Sequence, residues 1–386
     1  MRITREITLK KSLAVVATIA LTGVLAVTAA GCSNKSRNLA SLASNWYYDS
    51  SFKRIQPTFT EDTAEELTYT VKQTEESKNA TYKIAYADGT YKTKFYAKKI
   101  TAAELESITL ENWRDDYTKA LGSGGYMYLY CYTTELDIPK VTYTFGDKTE
   151  VFTDQKVVSE SYFRSVEDRL SPVYSLKTVK RAVPRELQAS SISDCYSTVD
   201  MTYESFYTLS GGNVKTVITD NGAENKTSEH TVNGLNGYTN SVFDAAYIDV
   251  MARAMRNITS FSQTVSIYSP GIEIRNYSVT SGNASLCDKA EDTEAQLAAI
   301  QGVLEGKSLF TPKAIENSEE KTKLKTTSVG IAYNGGSYSG VSQTYWFAVG
   351  DGNNETRTLM VKYREPLTYN LGRLDYVLTS IDNFPV

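Results

Sequence analysis

Tyr82-Lys-Ile-Ala-Tyr86, Ala87-Asp88-Gly89-Thr90 and Tyr91-Lys-Thr-Lys-Phe95 follow one another without a break. Apolar or aromatic residues alternate with polar ones on both sides of an Asp-Gly pair. A period of two puts one set of side chains on each face of a strand. Gly accepts the positive φ that a tight turn needs, so the stretch predicts a β-hairpin. Lys83, Lys92 and Lys94 mark its wet face.

The same pattern spreads outward. Leu67, Tyr69 and Val71 alternate with Thr and predict a strand upstream. Downstream, Thr101-Ala-Ala-Glu104 is a capping box and predicts a helix from there to near Ile108. Trp113, Tyr117 and Leu121 recur every four residues, a second helical piece, and Gly122–Gly125 ends it. In Tyr126-Met-Tyr-Leu-Tyr-Cys-Tyr132 the residues Tyr126, Tyr128, Tyr130 and Tyr132 share one strand face. Met127, Leu129 and Cys131 share the other, so Cys131 reads as a buried free thiol. Val141–Phe145 and Val151-Phe152 flank Gly146-Asp147, a second hairpin, and Ser159–Val166 is a strand. Thr198–Leu209 and Val214–Thr219 pair around Gly211-Gly212-Asn213.

Further on, Thr239 or Asn240 is a candidate cap for a helix to Ile258, with Phe243, Tyr247, Met251 and Met255 on one stripe and Asp249 elsewhere. That stripe reads as core packing or, alternatively, as a lid over a cavity. Strands resume at Thr264–Tyr268 and Ile272–Val279, a helix follows over Asp292–Leu304, and three strands lie at Thr326–Tyr333, Gln343–Val349 and Thr356–Arg364. Leu374, Tyr376 and Leu378 alternate at the end. Strands joined by short turns pair antiparallel. The fold class is therefore mainly β: one large, curved antiparallel sheet, half-barrel-like, with a few packing helices on one face. Residues 46–386 form this part, with a division into two subdomains near 185–200 left open.

The N-terminus carries a separate message. Arg2, Arg5, Lys10 and Lys11 precede an uncharged run from Leu13 to Ala30, then Ala29-Ala30-Gly31-Cys32. A basic start, an apolar run and small residues at a cut form a secretory signal. Cysteine in the first mature position resembles the lipobox of bacterial lipoproteins, although Ala29 stands where that motif favours Leu. The resemblance implies cleavage between Gly31 and Cys32 and palmitate-type acylation of Cys32. Residues 32–45 then serve as a polar tether from the lipid. Location in the bacterial cell envelope, outside the cytoplasm, follows. The alternative is an uncleaved membrane helix, since the apolar run is about long enough to span a bilayer.

Removing residues 1–31 takes away four basic residues and one acidic one, leaving 37 Lys+Arg against 44 Asp+Glu, a net charge of −7. A net acidic chain argues against nucleic acid as a partner. It also argues against electrostatic adsorption to anionic lipid, so the acyl chains must attach it. With one histidine among 386 residues, His230, routine acid–base and metal chemistry has little to work with. His230 reads as a solvated loop residue. No C-x-x-C, H-E-x-x-H, phosphate-binding loop or dinucleotide fingerprint occurs, so no cofactor, no metal and no enzyme activity is expected. Glu111, Asp115 and Asp116 near Trp113 read as solvated carboxylates rather than a glycosidase pair. Lys177, Lys180, Arg181 and Arg185 form a basic stretch that reads as a solvated face or, alternatively, as a lipid-headgroup patch. Cys195 and Cys287 are a candidate disulfide that spacing alone does not decide.

One resemblance covers roughly residues 240–380. The helix Asn240–Ile258, long strands, Tyr345-Trp346, Leu359-Met-Val-Lys-Tyr363 and Gly372-x-Leu374-x-Tyr376-x-Leu378 resemble uncharacterised exported proteins with a half-barrel sheet, similar to the LolA-like lipoprotein carriers. The segment around Cys287–Lys325 departs from that pattern. The resemblance implies a concave face that shelters acyl chains and assigns no residue. Three functions remain in play. The first is a lipid-anchored binding protein for an apolar ligand. The second is a cell-envelope protein- or glycan-binding module using the face of Tyr126, Tyr128, Tyr130 and Tyr132. The third is a transporter's solute receptor.

Overall fold

The computed structural model describes residues 60–383 apart from 77–80, 167–168, 186–187, 223–225, 236–241, 256–260, 271–272, 287–293, 306–323, 334–341 and 350–357. The signal peptide, Cys32 and the tether therefore lie outside the described residues, as does Cys287. Among the described residues no helix is long and apolar enough to cross a membrane.

Sixteen strands of the described residues form one sheet. The first group is β1 (Glu65–Glu75), β2 (Lys83–Tyr86), β3 (Gly89–Thr101), β4 (Tyr126–Phe145), β5 (Lys148–Val166), β6 (Arg169–Pro184), β7 (Tyr196–Tyr207), β8 (Asn213–Asp220) and β9 (Lys226–Asn233). The second is β10 (Val242–Asp244), β11 (Phe261–Ser269), β12 (Glu273–Leu286), β13 (Leu324–Tyr333), β14 (Ser342–Val349), β15 (Thr358–Pro366) and β16 (Arg373–Asn383). Two antiparallel meanders result, β3 to β9 and β11 to β16, and β1 joins them by pairing with both β16 and β3. Only the short β10–β11 pair is parallel. Strand β7 pairs with β6 from Pro184↔Tyr196 to Tyr174↔Phe206.

The stretch that fixes the fold class forms strands, but not the predicted hairpin. Both β2 and β3 pair with β4, Lys83 opposite Thr144 and Thr90 opposite Asp137. They are one long, interrupted strand alongside β4, and Asp88-Gly89 is its kink. A Cβ at Gly89 would sit 2.6 Å from the Asp137 carbonyl oxygen, so glycine is needed there for close approach and not for a turn. The Gly146-Asp147 hairpin does form, with Phe145 opposite Lys148.

Helices lie on both faces, not one. Helix α1 (Ala102–Ile108) starts at the predicted capping box, where Glu104 accepts the Thr101 backbone N–H at 2.8 Å. With α2 (Glu111–Lys119) it covers the outer face of β3 and β4. There Leu105, Ile108 and Tyr117 pack with Leu129, Cys131, Tyr96 and Tyr162. The predicted helix Asn240–Ile258 is shorter. Strand β10 occupies its first part, and α3 (Ile248–Met255) follows a 3-10 turn. The cap is Asp244, whose carboxylate accepts from Ala246 N at 2.7 Å, and residues 236–241 are outside the described set. Helix α4 (Glu294–Glu305) lies over β16, with Gln296 accepting from Lys362 at 3.3 Å.

Helix α3 lies inside the curl. Its Asp249 is reached by Tyr91 from β3 and Tyr132 from β4, and its Arg253 by Glu65 from β1. The ladder ends at β9 and β10, and side chains bridge the two meanders. Thr216 of β8 meets the Tyr268 hydroxyl of β11 at 2.6 Å, and Ser175 of β6 donates to Asp244 of β10 at 2.7 Å. The result is a barrel-like fold with α3 as an internal plug.

Candidate functional site inside the barrel

A cavity of about 150 Å³ lies between α3, strands β3 to β6 and strands β14 to β16. Its charged lining is Lys177 and Arg181 from β6, Asp249 from α3 and Glu365 from β15. Tyr91, Tyr345, Tyr363 and Tyr376 complete the polar wall. Period-two geometry explains the β6 contribution, because Lys177, Val179, Arg181 and Val183 all point one way.

The tyrosines form a ladder across neighbouring strands. Tyr345 stacks on Tyr363 at 4.6 Å, and Tyr363 meets Tyr376 at 4.6 Å. Tyr91 contacts Tyr376 edge-on at 5.4 Å. Each such pair is worth roughly 0.5–1.5 kcal/mol beyond burial. Burial pushes all four hydroxyls well above their ordinary range, so they stay neutral donors.

Those hydroxyls answer the buried acids. Asp249 Oδ2 accepts from Tyr91 at 2.5 Å and from Tyr132 at 3.0 Å. Glu365 Oε2 accepts from Tyr376 at 2.7 Å. Burial raises both carboxyls above the usual carboxylate range, while the hydroxyl bonds, and for Glu365 the charge of Arg181, pull back. Beneath them Asp244 is raised for the same reason and accepts from Ser175, Tyr207 and Ala246 N. Lys177 is half-buried, and desolvation lowers its ammonium. Arg181 is 8% exposed, and its Nε has no hydrogen-bond partner.

The basic stretch read as a solvated face is thus split by strand alternation. Lys180 and Arg185 are exposed, while Arg181 is buried and Lys177 half-buried against the cavity. The tyrosine face is split along its length. Tyr126 and Tyr128 are half-buried, whereas Tyr130 and Tyr132 are 1% and 5% exposed and pack on Phe95. A glycan cannot stack on the latter two. On the stripe read as core or lid, Tyr247 and Met251 are fully buried core. The side chains of Phe243 and Met255 are outside the described residues. His230 is on β9 rather than a loop, opposite Thr216, and its Nε2 is buried without a partner. Cys131 is a buried free thiol that burial pushes up to about 12. Cys195 is buried near Ser191. Glu111, Asp115 and Asp116 are exposed. Among the described residues no group of three or more potential ligands is placed to hold a metal.

The sequence alone offers Lys177 and Arg181 only as part of a surface basic stretch and does not single out the rest of the cavity as a site. Asp249 fell off the apolar stripe of its helix, and Tyr345, Tyr363 and Tyr376 appeared only as part of a strand pattern. The usable signal was the Lys177-Val179-Arg181-Val183 alternation, which places two cations among apolar residues on one face.

No protein-family model and no curated protein matches this sequence. Among solved structures the chain is similar in outline to a beta-barrel-like protein of a domain of unknown function, DUF1849, from Brucella abortus. The identity is 8%, the TM-score is 0.40, and the likeness covers 83% of this chain and 98% of that one.

Proposed function

We propose that this chain is a lipid-anchored, extracytoplasmic binding protein that holds a small polar solute inside its barrel. The observation that carries the reading is the cavity itself, with two cations, two acids and a tyrosine ladder converging on about 150 Å³. Convergent polar groups with perturbed titration mark binding sites. The lipobox-like Ala29-Ala30-Gly31-Cys32 supplies the location.

An acyl ligand, expected of a half-barrel carrier, is the second reading for this interior, and the charged lining favours the polar one. Pockets that enclose drug-sized ligands measure roughly 300–1,000 Å³, and an alkyl chain beside desolvated charges offers them no partner. A cavity of about 150 Å³ admits something near the size of a benzene ring.

The test is native mass spectrometry of the full-length chain released from membranes in mild detergent, followed by thermal unfolding with the solute found. A solute of small mass should leave on denaturation. Adding it back at one hundred times its Kd should stabilise the fold by about 2.7 kcal/mol, or roughly 5 °C. A chain that carries only phospholipid or fatty acid, with no small solute, contradicts the reading.

A further inference from the structure

We infer that the cavity's ligand is a small oxyanion, a carboxylate or a phosphate, gripped by Arg181 with Lys177 beside it. This rests on the binding reading above and narrows it to a chemical class.

The first argument compares buried cations. Among the described residues four Lys or Arg side chains are buried: Arg181, Arg253, Lys362 and Arg364. Arg253 has Glu65 at 2.7 Å. Lys362 and Arg364 share Asp375 at 3.2 and 2.8 Å. Arg181 is the exception: no ion-pair contact joins it to an acid among the described residues, and the Glu365 charge supports it only from farther away. Its hydrogen-bonding neighbour is the neutral Tyr86 hydroxyl, and its Nε is unpartnered. A guanidinium keeps its charge even when buried. A buried unpaired charge is costly, so a fold that pairs its other buried cations but leaves this one facing a cavity has a partner missing.

The second argument concerns the acids. Asp249 and Glu365 do not neutralise the two cations by contact, since tyrosine hydroxyls occupy them at 2.5, 3.0 and 2.7 Å. Burial favours their uncharged forms. No ion pair joins either acid to Arg181 or Lys177 among the described residues, although Glu365 lies near enough to Arg181 for their charges to interact. An oxyanion finds a guanidinium fork and an amine in Arg181 and Lys177.

The test is titration calorimetry on the full-length chain in detergent with succinate, inorganic phosphate and glucose, beside Arg181→Met and Lys177→Met. At least one anion should bind and glucose should not, and which anion binds separates the two sources. Arg181→Met should weaken that binding at least about tenfold, and so should the double variant. The unliganded Arg181→Met protein should melt higher than wild type, because the unpaired charge is gone. Binding of glucose with neither anion overturns this inference and leaves the binding reading standing. Binding of none of the three, with no solute carried from the membrane, overturns both. Anion binding unchanged in the double variant, or a lowered melting temperature of unliganded Arg181→Met, makes Arg181 structural and overturns the inference alone. Should Arg181→Met fail to fold, the half-buried Lys177→Met decides by the same affinity criterion.

Discussion

At the scale of single residues, the interior is governed by desolvation. Asp249 is 9% exposed and lies on a short helix between two strands that offer it hydroxyls but no cation. Its carboxyl is therefore raised above the ordinary value. An acid with a raised folded pKa binds protons more readily folded than unfolded. Its stabilising contribution is complete below the unfolded value, near pH 3.8, and is lost as pH rises through the folded value. Asp249→Asn keeps a hydrogen-bond acceptor and cannot titrate. The stability of the variant relative to wild type should therefore rise with pH above about 4, by up to about 1.4 kcal/mol per unit. Urea midpoints from pH 4 to 8 measure this, and a pH-independent difference contradicts it. The same desolvation makes Arg181 conspicuous, and its neighbour Lys177 was legible as a cation but not as an inward one. Alternation assigns side chains to faces, and only the curl of the sheet decides which face is inside.

At the scale of elements, α3 is the plug that divides a filled barrel from an open one. Its C-terminal half is tied to β1 by Arg253 and Glu65, 7% and 5% exposed and 2.7 Å apart. Removing one partner of a buried pair strands the other charge. Glu65→Gln should cost about 3 kcal/mol, read as a drop in thermal midpoint, and a loss within experimental scatter of zero would show that α3 is held by packing alone. The elements also show where sequence patterns are ambiguous. The capping box Thr101–Glu104, the Gly146-Asp147 hairpin and the strand order after Phe261 follow from local chemistry, and they form as expected. Asp88-Gly89 does not make its hairpin, because the same dipeptide serves a kink when both flanking strands find one long partner, and β4 provides it from Tyr126 to Phe145. Similarly, the spacing of Phe243, Tyr247 and Met251 does not distinguish a helix from a strand that turns into one at Asp244.

At the scale of the whole molecule, one sheet carries two meanders, and β1 fastens them together through β16 and β3. The closure across the ends is by side chains such as Thr216 and Tyr268. The candidate cavity draws residues from β3, β6, α3 and β14 to β16, so it exists only when both meanders are in place. This is why it was not legible in the sequence: no segment contains it. The N-terminal message, by contrast, is local. If Cys32 is the lipid-bearing residue, labelled palmitate should enter the wild-type chain, should not enter Cys32→Ala, and globomycin should cause the uncleaved precursor to accumulate. Equal labelling of Cys32→Ala rules out that anchor.

The most direct test of a solute held inside the barrel is a crystal structure of the protein grown with the solute that co-purifies with it. Density for that solute within hydrogen-bonding distance of Arg181, between β6 and the Tyr345–Tyr363–Tyr376 ladder, is the predicted result. A cavity holding only water at saturating solute, or solute bound on the outer face while the interior is closed by side chains, would contradict it.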